Sequence, residues 1–442
     1  MKAIMTFAFF ALMLSLKAQD TTTPDDYETL TYRLYLEQKW DSLLLKGSEA
    51  IDSGFDYLYM LTRTGTAAYY LNKYSLAAGY FEKAQKKDKY DPYTNEMLFY
   101  TYLYLGRNSG ASVLSGKFDK GDSLFVNYLH PSLYSEGGIA FPDNQSGISR
   151  RGRLKERQYN YKEQYLDKQC SYMALGWKQP LSKRISLNSA FSYTDLDKER
   201  NISLRNRDSL TGSYDVRQTE FYISPSLFID QSFVVSPAFR YAMTNISEPI
   251  ITSDSIMNLF LGGPVAQSYF SYITGAELTC YRNYWRASAG FWYLDMDNHT
   301  SLQGSASLML LPFGSMNAYT NSILMWKNDR DSKPLIFSQM LGFRLYGNSW
   351  LEISYTKGNL AGTVENNAQL MNNQINESNY RLGALLVIDV TDHLRILTRY
   401  QYLNLNGTIY YSDNEQTLKF DNYKYSKQLI TGGFVWNIFQ RR

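Results

Sequence analysis

The sequence contains few of the residues that build disulfide scaffolds, metal sites or helical membrane spans. It has two cysteines, Cys170 and Cys280, and three histidines in 442 residues. The cysteines lie far apart without a Cys-x-x-Cys spacing, so neither a disulfide framework nor a zinc site is indicated. No run of eighteen apolar residues occurs and the mean hydropathy is -0.38, which excludes a protein that crosses a membrane with helices.

The charge balance and the missing catalytic motifs argue against nucleic-acid binding and against enzymatic activity. Forty-five basic and 42 acidic residues leave a net charge of +3, which is too small to indicate nucleic acid as a partner. The N-terminal part has no glycine-rich phosphate loop, no cluster of metal ligands and no pair of catalytic carboxylates. We therefore expect no metal, no cofactor and no enzymatic activity.

Aromatic residues are the feature that the sequence has in excess. It contains 39 Tyr, 23 Phe and 7 Trp, and aromatics make up 16% of the chain. With charged residues at 20%, 28 Gly and 11 Pro, the composition excludes a disordered, collagenous or coiled-coil chain. Transmembrane β-barrels concentrate aromatic residues in girdles at both membrane interfaces, so the excess favours a barrel.

The N-terminus has the pattern of a secretory signal peptide, predicted to span residues 1–18. Lys2 precedes an apolar stretch from Ile4 to Leu16 that is too short to cross a bilayer, and Ala18 supplies the small residue before the cleavage point. We expect the mature chain to be exported.

Residues 26–127 have apolar positions at helical spacing. The segment 57–91 resembles a tetratricopeptide repeat, a pair of antiparallel helices in which small residues allow close approach and an aromatic fills the groove. Weaker copies lie one repeat length on either side. A generic bundle of helical hairpins is the alternative. The residues that carry the repeat signature are Gly65, Ala68, Ala77, Phe81 and Ala84.

Beyond residue 131 the period changes from helical to two. Ile185, Leu187 and Phe191 fall on one face of a segment whose other face is polar, which is the pattern of a strand with one apolar side. About fourteen such segments occur between residues 132 and 439. We therefore predict an α + β multidomain protein in which a tetratricopeptide-like solenoid precedes an antiparallel transmembrane β-barrel of about 14 strands.

Two further patterns support the barrel against the alternative of a soluble sandwich or propeller. Short turns alternate with longer polar connections, as in outer-membrane barrels with short periplasmic turns and long outer loops. The last segment resembles the C-terminal signal that barrel insertion machinery recognises, although the chain continues for three residues beyond it. The longer connections are 142–167, 196–214, 246–265, 296–298, 328–333, 359–378 and 406–425, and the signal comprises Thr431, Gly433, Trp436, Ile438 and Phe439.

The polar face of the predicted strands gives candidate lumen residues. Their mild basic excess would favour anionic or hydroxyl-rich cargo in an open pore, whereas arginine and carboxylate ladders that brace the wall are the simpler interpretation. The residues assigned to the lumen are Arg184, Glu220, Arg240, Glu277, Arg286, Arg344, Glu352, Arg381, Asp389, Arg395 and Arg399.

One His and Ser pair tests the alternative of a lipid hydrolase. His299 and Ser301 lie two apart on a predicted strand, which places both on one face. Acyl chains lie on the other face, where Leu302, Leu308 and Leu310 are predicted, so the pair does not indicate lipid hydrolysis.

The arrangement of signal peptide, helical repeats and barrel resembles the YaiO-like outer-membrane proteins and the surface lipoprotein assembly modulators of Gram-negative bacteria. This resemblance implies that the repeats lie in the periplasm and bind a protein client or complex, and that the barrel, embedded in outer-membrane lipid, exports it or assembles it at the surface. A diffusion pore or transport channel anchored to periplasmic partners is the alternative.

Overall fold

The computed structural model describes most of the chain in two compact units, divided between Thr101 and Tyr102. The predicted signal peptide, residues 1–18, and Phe439 lie outside the described residues. None of the helices in the described part of the chain has the length and hydropathy to traverse a membrane. The described residues are 24–118, 130–155, 159, 161–204, 210–255, 258–296, 299–329, 333–347, 349–374, 376–412 and 418–438.

The first unit is helical, and its helices pack through small residues. Gly65 and Phe81 face each other between two of these helices, where a Cβ on Gly65 would lie 2.8 Å from the Phe81 ring. Leu43, Met60 and Leu61 fill the core around them and are fully buried. The helices are α1 (Pro24–Leu36), α2 (Trp40–Asp52), α3 (Leu58–Tyr70), α4 (Tyr74–Lys87) and α5 (Pro92–Tyr104), the last of which crosses into the second unit.

The second unit begins with the end of α5 and a short helix, α6 (Asn108–Leu114), and continues into β-structure. A further helix, α7 (Gln145–Lys155), follows the first strand. The strands are β1 (Ser132–Asp143), β2 (Tyr161–Ser182), β3 (Ile185–Leu204), β4 (Leu210–Phe228), β5 (Phe233–Ser255), β6 (Asn258–Tyr281), β7 (Trp285–Met296), β8 (His299–Leu310), β9 (Ala318–Asn328), β10 (Leu335–Arg344), β11 (Ser349–Lys357), β12 (Thr363–Glu365), β13 (Leu370–Asn372), β14 (Glu377–Asp389), β15 (Leu394–Ser412) and β16 (Leu418–Asn437).

Fourteen of these strands form a closed antiparallel barrel, which confirms the predicted layout of N-terminal helices followed by a barrel of about 14 strands. That the helices form a tetratricopeptide-like solenoid stays a prediction. Each strand pairs with its neighbour in sequence, except that β11 pairs with β14, and β1 closes the ring against β16. Ser132 lies opposite Asn437 and Asp143 opposite Ser426 in this closing pair. Closure leaves no unpaired strand edge along the paired length, which is the condition for β-structure within a bilayer.

The outer face of the barrel is apolar. Side chains that alternate with the polar inner positions remain exposed along the strands, and a continuous apolar belt of this kind marks a surface that lipid covers. Aromatic rings contribute much of it, in agreement with the aromatic excess of the sequence. Examples are Leu175, Phe191, Phe291, Trp326, Phe337 and Phe434.

The predicted connections differ from the observed ones in two respects. Residues predicted as loops at 196–214, 246–265 and 406–425 lie largely in strands, because β3 to β6, β15 and β16 extend well past the ten or so residues that a bilayer requires. The connection 359–378 contains the two short strands β12 and β13, which form their own antiparallel sheet. Both differences concern polar segments, whose composition alone does not distinguish a loop from an extramembrane strand.

Candidate functional site in the barrel lumen

The β12–β13 hairpin lies inside the barrel. We call residues 363–372 the inner hairpin. Arg240 of β5, which is buried, donates from Nε to the carbonyl oxygen of Ala368 at 2.9 Å and from Nη2 to that of Gln369. Tyr222 of β4 donates its hydroxyl proton to the carbonyl oxygen of Asn367 at 3.1 Å. The tip of the hairpin is therefore held by the wall through its backbone.

The inner hairpin joins two opposite sides of the barrel. On β8, Gln303 exchanges two hydrogen bonds with the backbone of Val364, at 2.6 and 2.9 Å. On β1, the Tyr134 hydroxyl accepts a bond of 3.0 Å from the side chain of Gln369. In the ring of fourteen, β1 and β8 are seven positions apart in either direction. The hairpin therefore spans the lumen across its full width.

An ion pair fastens the hairpin to β14 at Glu365, the last residue of β12 before the turn. Arg381 donates to both carboxylate oxygens of Glu365, at 2.9 and 2.6 Å, and both side chains are largely buried. A bidentate pair of this kind fixes orientation as well as distance. Asn372 adds a hydrogen bond of 2.9 Å to the same carboxylate.

Apolar contacts complete the seal between hairpin and wall. Val364 and Ala368 are buried in a cluster on the inner face of strands β4 to β7, in which Trp292 is almost fully enclosed. Leu360, just before the hairpin, packs on Met325 and Ile336 of β9 and β10. Val364, Ala368 and Leu360 therefore seat the hairpin and the residues before it on the inner face of the wall.

The tip of the hairpin has an unusual backbone conformation. Asn366, Asn367 and Ala368 have φ values of 52, 54 and 62°, in the left-handed region that costs an L-residue about 1–2 kcal/mol. Asparagine tolerates this region, whereas alanine does not favour it. The hydrogen bond from Arg240 to the Ala368 carbonyl stabilises the strained turn, so the conformation depends on contact with the wall.

Residues 102–117, which we call the strap, contact the short turns at one end of the barrel. Arg107 donates to Asn283 Oδ1 at 2.8 Å, in the turn between β6 and β7, and packs its guanidinium on the Tyr102 ring at 3.9 Å. Tyr102 in turn donates to Gln231 Oε1 at 3.1 Å, in the turn between β4 and β5. These contacts lie within the second unit.

The strap reaches from one side of this mouth almost to the other. Ser112 donates at 2.8 Å to the Lys183 carbonyl in the turn between β2 and β3, and Lys183 donates back to the Ser115 carbonyl at 3.2 Å. At the other end, a Cβ on Gly106 would lie 3.8 Å from the Met316 sulfur in the turn between β8 and β9. The strap thus contacts four successive turns, from the one between β2 and β3 to the one between β8 and β9, and follows this part of the rim.

At the opposite end, the hairpin of β15 and β16 folds over the barrel. Residues 409–412 of β15 pair with residues 161–164 of β2, although β16 and β1 separate these strands lower in the wall. One edge of β15 pairs with β16 along its whole length. The other edge pairs with β14 up to residue 406 and with β2 at residues 409–412. The end of the β15–β16 hairpin therefore bends across the opening. A buried cluster lies beneath it, consisting of Leu166, Leu405, Ile409, Tyr423 and Tyr425.

The residues predicted for the lumen fall into three groups. Arg240, Glu220 and Arg381 lie at the inner hairpin, and Arg240 forms a buried ion pair with Glu220. Arg399 pairs with Glu136 across the closing seam at 3.1 Å. By register, Glu277 and Arg286 also face the lumen, as does Glu352, which accepts a bond from Tyr319. At the short-turn rim, Arg395 pairs with Asp389, Arg344 donates to the Gly347 carbonyl, and Arg184 lies in the turn before β3.

The predicted His and Ser pair lies on β8, and the predicted C-terminal signal lies in and just after β16. Ser301 is buried on the inner face of β8, and His299 shares that face at the exposed start of the strand. Thr431, Gly433 and Trp436 lie in β16, with Thr431 facing inward as a donor to Glu136 and Trp436 facing outward, and Ile438 follows the strand. The described residues contain no group of three or more His, Cys, Asp or Glu that could hold a metal ion.

Sequence reasoning missed the residues that carry the hairpin interface. Glu365, Asn367 and Gln369 lie in a connection predicted as an outer loop, and Gln303 and Tyr222 are polar positions in strands that carried no charge signal. A weak signal was present, because the Asn-Asn pair at 366–367 favours a tight turn.

The helical unit has a separate concave site. A cavity of about 300 Å³ lies between α1, α3 and the start of α5. Tyr59 and Tyr32 are exposed at 67% and 54%, so their rings face solvent. The residues that line the cavity are Glu28, Tyr32, Tyr35, Leu58, Tyr59, Thr62, Arg63, Asp91 and Tyr93.

Comparison with known proteins identifies no family. No protein-family profile matches the chain, and no curated protein sequence matches it. Among solved structures, the toluene transporter TodX of Pseudomonas putida has a TM-score of 0.46 at 8% identity, covering 75% of this chain and 93% of TodX. A FadL homologue of Pseudomonas aeruginosa has a TM-score of 0.39 at 7% identity, with coverages of 70% and 91%. The autotransporter NalP translocator domain of Neisseria meningitidis has a TM-score of 0.31 at 9% identity, with coverages of 76% and 99%.

Proposed function

We propose that this protein is an outer-membrane transport or export channel whose lumen is closed by the inner hairpin until a substrate or partner releases it. The observation that carries the proposal is the bridge between opposite strands β1 and β8 through Gln369 and Val364. A permanently open diffusion pore would leave this width free. The inner hairpin belongs to the long connection between β11 and β14, and a small number of hydrogen bonds and ion pairs hold it to the wall. Both features support a barrier that can move while the wall of the barrel stays rigid.

The strap supports a role for the helical unit in this gating. The chain passes from the helical unit directly into residues 102–117, which contact four turns at one end of the barrel. If the short-turn end is periplasmic, as in outer-membrane barrels generally, the helices that precede residue 102 are exposed to periplasmic proteins. We propose that the helices recruit such a client or complex for export or surface assembly.

Single-channel recording tests the gate. We expect the purified wild-type chain in planar bilayers to be electrically silent, and a variant with residues 363–372 replaced by a short Gly-Ser linker to conduct. A shift in gel mobility on heating, typical of folded barrels, shows that each variant has folded. Constitutive wild-type conductance equal to that of the variant would favour the diffusion pore, and a silent variant would refute the hairpin as the barrier.

Deletion of residues 26–101 tests recruitment. This deletion removes the helices but retains the strap, which belongs to the barrel unit. We expect a folded barrel in the membrane and a loss of the client from the cell surface, measured by comparing proteins released by surface proteolysis. An unchanged surface profile would refute recruitment and leave gated transport as a separate question.

A further inference from the structure

The concave cavity of the helical unit offers hydrogen-bond acceptors and aromatic rings, and its cation is already engaged. Arg63 donates from Nε to the Tyr59 carbonyl at 3.1 Å and from Nη1 to Thr31 Oγ1 at 3.1 Å. Its Nη2 pairs with the Glu28 carboxylate, and only 8% of its side chain is exposed. An incoming carboxylate would have to displace these contacts, so the cavity is not built for an anionic group.

One carboxylate in the cavity is not neutralised. Glu28 is held by Arg63 and by the Tyr57 hydroxyl. Asp91 accepts a bond of 2.8 Å from the Thr94 amide, which caps α5, and within the described residues it has no ion pair. The lining residues therefore carry a net charge of -1, from Glu28, Asp91 and Arg63, and this charge is located at Asp91.

Aromatic rings line the same cavity as this charge. Tyr93 hydrogen-bonds Thr66 at 2.8 Å, and burial raises the pKa of its hydroxyl, so it remains neutral. The exposed rings of Tyr32 and Tyr59 present faces that attract a cation or pack on an apolar group. A volume of about 300 Å³ is at the lower limit for a binding site and suits one or two side chains.

We propose that this cavity binds a protein segment that presents an arginine or lysine next to an aromatic or aliphatic residue. The basic group pairs with Asp91 and lies over the tyrosine rings, and the apolar neighbour packs on Leu58 and Tyr59. The inference rests on the proposed recruitment by the helices and assigns the chemistry of the partner. An acidic segment is rejected because Asp91 repels it and the charge of Arg63 is already paired with Glu28.

Fluorescence anisotropy with the full chain in detergent tests the assignment. Three labelled Gly-Ser octapeptides with a central Arg-Trp, Gln-Trp or Glu-Trp are titrated with protein. We expect the Arg peptide to bind most tightly and the Glu peptide least. Asp91→Asn, which retains a residue able to cap α5, is expected to weaken the Arg peptide about twofold to fivefold and leave the Gln peptide unchanged, as for a partly exposed ion pair.

Matched variants separate the cavity from general surface effects. Asp41→Asn removes the same charge from the first turn of α2, outside the cavity, and is expected to change nothing. Tyr59→Ala is expected to weaken the Arg and Gln peptides about fivefold or more, whereas Tyr90→Ala, at an 88% exposed tyrosine outside the lining, should not. Absence of binding by every peptide, tighter binding of the Glu peptide, or equal affinity in Asp91→Asn would each overturn the proposal.

The outcomes for the cavity and for the channel are distinguishable. Conductance of the hairpin variant and peptide binding to the cavity are measured separately, so conductance without peptide binding refutes only the cavity. Peptide binding in a protein whose hairpin variant stays silent refutes only the gate.

Discussion

Arg240 Nε lies 2.9 Å from the carbonyl oxygen of Ala368, a residue 128 positions later in the chain. The same guanidinium forms an ion pair with Glu220 on the neighbouring strand. One buried arginine therefore connects the wall of the barrel to the tip of the hairpin that closes it. Because its planar group serves both sets of acceptors at once, the wall and the hairpin are coupled at this position.

Arg240→Lys is expected to loosen the inner hairpin while retaining the charge opposite Glu220. Lysine has a single ammonium group and cannot reproduce the fork that reaches both the Ala368 and Gln369 carbonyls. We expect conductance openings in planar bilayers that the wild type lacks. Arg217→Lys, on the exposed side of β4, is the control. Absence of conductance in both variants would contradict the role of Arg240.

Glu365→Gln is expected to loosen the hairpin where β12 meets its turn. The substitution leaves Arg381 buried without its carboxylate, and breaking a buried pair in this way costs about 3–5 kcal/mol. Hydrogen exchange of the hairpin amides, measured by mass spectrometry, should accelerate accordingly. Asp389→Asn removes a carboxylate from the more exposed pair with Arg395 and should cost at most about 1 kcal/mol. Equal effects would show that Glu365 only braces the wall.

Gly110→Ala is expected to displace the strap. A Cβ at this position would lie 2.8 Å from the Gln231 carbonyl oxygen, a backbone atom that cannot move without shifting the turn. We expect faster hydrogen exchange of residues 108–117. Gly116→Ala is the matched control, because its Cβ would meet only the flexible Lys183 side chain at 3.4 Å. Unchanged exchange in Gly110→Ala would argue against a strap seated on the turns.

Gly65→Ala is expected to destabilise the helical unit by about 1–3 kcal/mol, because the added methyl group overlaps the Phe81 ring. Thermal unfolding followed by helical circular dichroism measures the effect. Phe81→Leu in the same chain should recover part of the loss, since the smaller side chain makes room for the methyl group. A double variant that loses the full sum of both effects would show that the two positions do not interact.

Much of the barrel was predictable because each face of a membrane strand meets a single environment along its length. Lipid on one side and a polar interior on the other impose period two, as at Ile185, Leu187 and Phe191, and fourteen such segments correspond to the fourteen strands of the ring. The helical segment was equally clear from its spacing. Strand ends were less predictable, because outside the bilayer β3 and β16 are no longer required to be apolar.

The sequence by itself therefore determined a helical part followed by an outer-membrane type of barrel, since local periodicity records which solvent each side chain meets. Only the tertiary structure decided that a segment predicted as an outer loop lies inside the barrel. The segment 359–378 is polar, as an outer loop would be, and nothing local distinguishes Glu365 or Asn367 from surface residues. Their position depends on Arg240, Gln303 and Arg381, which reach them only after the ring has formed.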